Sequence, residues 1–291
     1  MIPEAFEYFA PSSTQEAVSL AQRYGGDAKF LSGGHSLLPM MKLRLAAPRY
    51  VIDLGGIGEL SGIREEDGGL KIGALVTHHA IERSDLVRKR CSLLAETASA
   101  IGDPQVRNRG TIGGSIAHAD PAADYPAALL ALDMEMEIAG TSGRRVVRAE
   151  DFFVGLFSTV LHEGEILVGI RVTSLAARAG GAYRKLRQQA SGFAIAGAAA
   201  VVEKDEGGKF QRVRLALTGI GPMAFRARQV EQSLTGKTAS EKNIAAACRQ
   251  VAGGIPDALS DIHASADYRR AMADVFARRA LLAAVQRAEP Q

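Results

Sequence analysis

Apolar positions along the chain switch between helical and strand-like spacing, and the switches mark out three units. Ser13-Thr14-Gln15-Glu16 reads as a capping box. Ala17, Leu20, Ala21 and Tyr24 follow at helical intervals, and Gly25-Gly26 ends the helix. Ala28-Lys29-Phe30-Leu31 reads as a short strand running into a tight loop. Residues 50–54 form another strand, closed by Gly55-Gly56, so the first unit is a small β-α-β piece. The second unit begins near Gly58. It has a strand at 70–76, Thr77 as the cap of a short helix, a helix at 88–101 and a turn-rich loop at 102–115. A helix at 121–132 with Pro in its first turn follows, then strands at 134–138, 144–148 and 165–172. Small residues at 176–181 read as a flexible linker. The third unit has strands at 193–202 and 212–219 and helices at 225–234, 240–251 and 266–288, the pattern of an antiparallel sheet covered by helices. The expected units are 1–57, 58–176 and 177–291.

A length of 291 residues suits two or three such units, and 47% hydrophobic with 23% charged residues is an ordinary globular balance. The net charge of +3 gives no nucleic-acid footprint. The lack of Trp and the 5% aromatic content leave no base-stacking platform. The mixed-sign run 83–90 reads as a solvated helix face. Cys91 and Cys248 stand far apart, which implies neither a disulfide framework nor a metal-ligand spacing but two reduced, buried thiols in a cytoplasmic protein. The six histidines form no ligand motif; His78 and His79 are neighbours and would point in different directions on a helix. Residues 1–9 lack the basic start and apolar core of a signal peptide, and no apolar run is long enough to span a membrane.

Two glycine segments carry the candidate chemistry. The first is Ser32-Gly33-Gly34-His35-Ser36-Leu37, between a strand and a short apolar helix. Glycines there let backbone N–H groups converge on an anion. The second is Thr111-Ile112-Gly113-Gly114-Ser115, followed by His118, Asp120 and Asp124, and it offers hydroxyls, amides and a nearby carboxylate. Neither contains G-x-G-x-x-G or G-x-x-x-x-G-K-[ST], and each alone is compatible with an ordinary Gly-Gly turn. As a pair, one in each unit, they suit the two phosphates of a dinucleotide held between subdomains.

The stretch Lys29-Phe30-Leu31-Ser32-Gly33-Gly34-His35-Ser36-Leu37-Leu38-Pro39-Met40-Met41-Lys42 resembles the first FAD-binding stretch of the medium subunits of carbon-monoxide-dehydrogenase-like molybdenum hydroxylases. Pro104-Gln105-Val106-Arg107-Asn108-Arg109-Gly110-Thr111-Ile112-Gly113-Gly114-Ser115, with His118-Ala119-Asp120-Pro121 and Asp124, is similar to their second. The xanthine dehydrogenase flavin domain is a more distant relative, and the resemblance spans nearly the whole chain. It implies an α+β fold: two FAD-binding subdomains of the PCMH/vanillyl-alcohol-oxidase type, then a C-terminal α+β domain with an antiparallel sheet and helices. Ser32, Gly33, Gly34, His35, Ser36 and Leu37 would hold the pyrophosphate from one side. Thr111, Gly114 and Ser115, with His118 close by, would meet phosphates and ribityl from the other, and Asp124 would bond a flavin-side hydroxyl or serve as a helix N-terminal charge. Ile101 and Leu167 match positions packing on the isoalloxazine or adenine, with core packing as the alternative. Lys185 matches a lysine near the flavin ring, with a surface lysine as the alternative. Three departures stand out: Ser32 where Ala is frequent, Asp103 where His or a neutral residue is expected, and Ser191-Gly192-Phe193 where Gly-Asp-aromatic is common. The last bears on the flavin's reactive edge and so on the electron acceptor.

The resemblance implies non-covalently bound FAD that takes electrons from [2Fe-2S] clusters on a small subunit. A large molybdopterin subunit would oxidise the substrate, and an external acceptor would receive the electrons. A dimer of heterotrimers is the implied assembly. The cofactor does the chemistry, so no catalytic acid or base is nominated. The lack of a cysteine cluster fits iron–sulfur centres on another chain and argues against the benzoyl-CoA reductase branch. The competing readings are a self-sufficient FAD-dependent oxidoreductase of the same fold and a non-catalytic scaffold that has lost FAD.

Overall fold

The computed structural model describes residues 2–255 and 257–288. Met1, Pro256 and residues 289–291 lie outside it, and with them the outer ends of the expected first and third units. The fold is α+β. A three-stranded parallel sheet runs in the order Glu7–Phe9, Tyr50–Asp53, Ala28–Leu31. A five-stranded antiparallel sheet runs Ile63–Glu66, Gly69–Gly73, Ile166–Thr173, Glu135–Gly140, Gly143–Arg148. A four-stranded antiparallel sheet runs Ala179–Arg187, Ala194–Lys204, Phe210–Thr218, Phe225–Arg226.

Each sheet buries one apolar set. Helix Thr14–Tyr24 lays Ala17, Val18 and Ala21 on Ile52, and this small core continues through Ile57 and Leu60 to Ile166 and Val168 of the second sheet. The central core fills the other side of that sheet with Leu93, Leu94, Ile112, Ile116 and the wholly buried helix Tyr125–Leu132. In the third, helix Ala266–Arg287 covers the alanine-rich strand Ala194–Lys204. Small side chains on that strand allow the helix to approach closely. No helix among the described residues is long and apolar enough to cross a membrane.

The structure corrects several expectations. Ser13 caps its helix, accepting from Glu16 N–H at 3.2 Å, but the Glu16 carboxylate reaches Ser12 N–H at 2.9 Å, so the reciprocal arm is displaced by one residue. Strand Glu7–Phe9, too short to show an alternation, forms because residues 50–52 offer it a parallel partner. The helix expected at 88–101 is two, Asp85–Arg90 and Ser92–Ala100. The break at Cys91 (φ −151°, ψ 65°) turns both Leu93 and Leu94 into the core. The expected loop 102–115 holds helices Pro104–Arg109 and Ile112–His118, nucleated by Asp103 and Thr111, whose side chains accept from Val106 and Gly114 N–H. The helix expected from 121 starts at Tyr125, and that expected from 225 starts at Arg228, because residues 225–226 pair as a strand.

Residues 179–181 of the expected linker are strand. Gly180 is small for packing rather than for flexibility, since a Cβ there would stand 2.2 Å from Ala284 O of the C-terminal helix.

Candidate functional site

The two glycine segments meet at the seam between the first two sheets. The first leaves strand Ala28–Leu31 and enters helix Leu37–Lys42. Its carbonyls are engaged: Gly33 O by His35 Nδ1 at 3.0 Å, Gly34 O by Leu38 N–H at 3.1 Å, Ser36 O by Met40 N–H at 3.2 Å. Its amides are not. From Gly33 through Leu37, five consecutive backbone N–H groups donate to no protein group among the described residues. This run is half-buried to exposed, with His35 exposed. Buried amides are nearly always paired, and a run of unpaired, accessible ones offers donors suited to an anion.

The second segment resembles the first in sequence and differs from it in bonding. Ile112 N–H goes to Val76 O at 3.0 Å, Gly113 N–H to Ala74 O at 2.9 Å and Gly114 N–H to Thr111 Oγ1 at 3.1 Å. The amides expected to be exposed here are used inside the fold. Ser115, half-buried, keeps a hydroxyl that bonds no other described group. Thr111 Oγ1 lies 2.7 Å from Ser32 Oγ and so joins the two segments. At the same joint a Cβ on Gly33 would fall 2.2 Å from Arg109 O and 2.8 Å from Gly110 Cα.

His118, at the end of helix Ile112–His118, packs its ring 5.3 Å from that of Phe157. Asp120 lies beyond it, and burial raises its carboxyl above the usual range against the pull of Ala122 N–H and His118. Asp124 is buried, accepting from Tyr183 Oη and, at 2.8 Å, from Lys185 Nζ. Burial raises the Asp124 pKa and the Lys185 ammonium opposes this. Lys185 is not a surface lysine: its side chain is 6% exposed. Ile101 is half-buried and Leu167 sits in the central core.

The structure therefore brings Ser32 and Gly33 together with Thr111 and Gly114, and pairs Asp124 with Lys185. Three residues were missed from sequence. Tyr183 shares a strand face with Lys185, and the two-residue period of strand Ala179–Arg187 was the available signal. Glu96 receives Tyr183 N–H at 2.8 Å and ties Arg184 and Arg287 to the second unit. His78 is buried beside Gly110 with Nδ1 unbonded; burial, aided by His35 and Arg107, lowers its pKa to about 4. No sequence pattern pointed to either of these last two. Among the described residues no cluster of His, Cys, Asp or Glu could hold a metal.

Two lobes with an amide nest at their seam, followed by a helix-covered antiparallel domain, define a cofactor-binding protein of the two-lobed α+β class. Residues 4–174 match the family described as the FAD binding domain in molybdopterin dehydrogenase, and residues 181–284 the CO dehydrogenase flavoprotein C-terminal domain. The chain is 46% identical to the carbon monoxide dehydrogenase medium chain of Hydrogenophaga pseudoflava, over 98% of each. It is 36% identical to the 6-hydroxypseudooxynicotine dehydrogenase complex subunit alpha of Paenarthrobacter nicotinovorans, over 100% of this chain and 98% of that one. The structure of carbon monoxide dehydrogenase from H. pseudoflava lacking the Mo-pyranopterin moiety aligns with a TM-score of 0.95 over 99% of both chains at 46% identity. Quinoline 2-oxidoreductase from Pseudomonas putida 86 gives 0.93 over 99% of both at 34% identity. The chain belongs to the FAD-binding medium-subunit family of molybdopterin dehydrogenases.

Proposed function

We propose that this chain is the electron-relay subunit of a three-component molybdenum hydroxylase, holding one FAD non-covalently at the seam of residues 1–57 and 58–176, with 177–291 as a separate C-terminal domain. The observation that carries this is the run of five unbonded amides at the joint of the two glycine segments. FAD fits there because its pyrophosphate presents the anionic oxygens that such a run lacks as partners. When bound, FAD accepts electrons from partner clusters and releases them to an acceptor.

The chain's own residues bind and orient. The amides of Gly33–Leu37 hold the pyrophosphate, with Ser32 fixing the loop through Thr111. Gly114 leaves room beside that contact, the Ser115 hydroxyl donates from the opposite side, and His118 stands at the far end of the same helix. Ile101 and Leu167 supply apolar wall, and the Asp124–Lys185 pair closes the site from behind. The partners are a small iron–sulfur subunit and a large molybdopterin subunit, assembled as a dimer of heterotrimers in the cytoplasm, with an external acceptor.

The test uses the purified chain loaded with FAD. Acid precipitation is expected to leave a yellow supernatant, and anaerobic mixing with aldehydes, purines or N-heterocycles to leave the visible flavin band unbleached until both partner subunits are added. Bleaching by substrate without partners defeats the relay reading in favour of a self-sufficient oxidoreductase.

A further inference from the structure

The segment 121–124, which follows the second glycine helix, is gripped by the C-terminal sheet. Gly219 N–H donates to Pro121 O at 2.8 Å and Ala194 N–H to Ala122 O at 3.1 Å. The Thr218 hydroxyl lies 3.0 Å from Pro121 O and 2.7 Å from Ala123 O. The segment ends at Asp124, where Tyr183 and Lys185 converge. Lys185 Nζ makes a second bond, 2.6 Å to Gly192 O.

That second bond reaches a turn otherwise closed on itself. Gln188 N–H bonds Phe193 O at 2.8 Å and Gly192 N–H bonds Gln188 O at 2.9 Å. Ser191 caps the Gln188 side chain through its amide and hydroxyl. Among the described residues no other hydrogen bond leaves 188–193. The turn surface is exposed at Gln189, Ala190, Ser191 and Phe193, and its inner side rests on residue 102: a Cβ at Gly192 would stand 3.1 Å from Gly102 Cα. Residue 102 directly follows Ile101 and precedes Asp103, the cap of the helix that ends at Arg109.

We propose that Lys185 is a positioning residue: one buried ammonium that latches the 188–193 turn onto the 101–102 neck and the 121–124 segment, fixing the rim of the cofactor site. That this rim belongs to a cofactor site rests on the FAD reading; the latch does not. An ammonium suits the place because it has three donors, enough to bond a carboxylate and a backbone carbonyl at once. Methionine matches its length and supplies neither bond. Removing the ammonium alone also leaves Asp124 as a buried, uncompensated carboxylate, so the test must separate loss of the latch from loss of charge balance.

The experiment compares the full-length chain with Lys185→Met and the double variant Lys185→Met/Asp124→Asn, each with and without FAD. The readout is trypsin cleavage after Arg187, which is exposed at the foot of the turn, followed as the fragment that begins at Gln188. A freed turn opens locally without global unfolding, so cleavage is expected to rise about tenfold in Lys185→Met. In the double variant neither member of this pair carries a charge. Its melting temperature is expected to recover while cleavage stays about tenfold faster than wild type and FAD dissociates about tenfold faster. A double variant cleaved at the wild-type rate overturns the latch. Fast cleavage with unchanged FAD dissociation overturns its place at the rim. Failure of the wild-type chain to hold FAD would refute the functional reading, while the cleavage comparison without FAD would still decide the latch.

Discussion

Gly33→Ala tests whether the direct contact of the two glycine segments shapes the amide nest. The added Cβ would lie 2.2 Å from Arg109 O and within 3 Å of Gly110 Cα and Arg109 C, whereas ordinary contact begins at 3.4 Å. All three obstacles are backbone, so no side-chain rotation relieves the clash, and the segments must separate by about 1.2 Å. That separation stretches the 2.7 Å Ser32–Thr111 hydrogen bond to about 3.9 Å, beyond bonding range. Overpacking costs about 1–3 kcal/mol and the lost bond about 0.5–1.5 kcal/mol, giving about 1.5–4.5 kcal/mol together. For a chain of 291 residues that is a fall in melting temperature of about 2–7 °C.

Flavin occupancy should fall more steeply than stability, because displaced amides no longer converge on one anion. The assay pairs differential scanning fluorimetry with the ratio of flavin to protein absorbance. Gly34→Ala is the control. Its Cβ would meet the movable Leu38 side chain at 2.8 Å, and its φ of +75° adds about 1–2 kcal/mol of backbone strain without separating the two segments. Gly33→Ala protein with wild-type melting and full flavin would refute the geometric argument.

Thr111→Val removes both the cap on Gly114 N–H and the bond to Ser32, while Ser32→Ala removes only the latter; the expected losses are about 1–2 and about 0.5–1 kcal/mol. Equal melting shifts for the two would show that the cap contributes nothing. His78 has a folded pKa of about 4, below its unfolded value of 6.5, so the folded state favours the neutral ring. Its contribution is fully present above the unfolded pKa and is lost as pH falls towards about 4, by up to about 3 kcal/mol. His78→Gln should flatten stability across that pH interval in urea titrations, and an unchanged slope would assign the acid sensitivity to other groups.

Much of this architecture was legible in the chain. Strand Ala28–Leu31 and helix Ala266–Arg287 fall almost where the sequence puts them, because their local pattern and burial agree. What escaped depended on distant partners. Pro104–Arg109 and Ile112–His118 read as loop because glycine and asparagine lower helix propensity, yet each has a side-chain cap, and Ala74 and Val76 hold the second helix's first amides. Gly180 looked like a flexible joint because sequence cannot display the helix packed on it. Candidate residues could be named from the sequence, but not how they would be arranged. Lys185 could be read as a surface cation because Asp124, 61 residues earlier, is invisible at its position.

The two glycine segments show why motif chemistry must be settled by bonding. Both place Gly-Gly before a short helix, and both could expose amides to an anion. In the first, no described group accepts from the amides of Gly33–Leu37, so they stay available. In the second, Ala74 O and Val76 O accept the same kind of amides, and Thr111 takes the next. Those carbonyls follow strand Gly69–Gly73, whose own pairing fixes where they point. The segments thus differ in bonding: the first keeps its amides unpaired, while the second uses its own inside the fold and abuts the first at Ser32 and Gly33. On the proposed reading, an anion at the first segment would be held mainly from one side by backbone, and substitutions in the second segment would act on it chiefly by shifting that contact. This is why Gly33→Ala, which alters no donor, is the sharper probe of the site than removal of any hydroxyl.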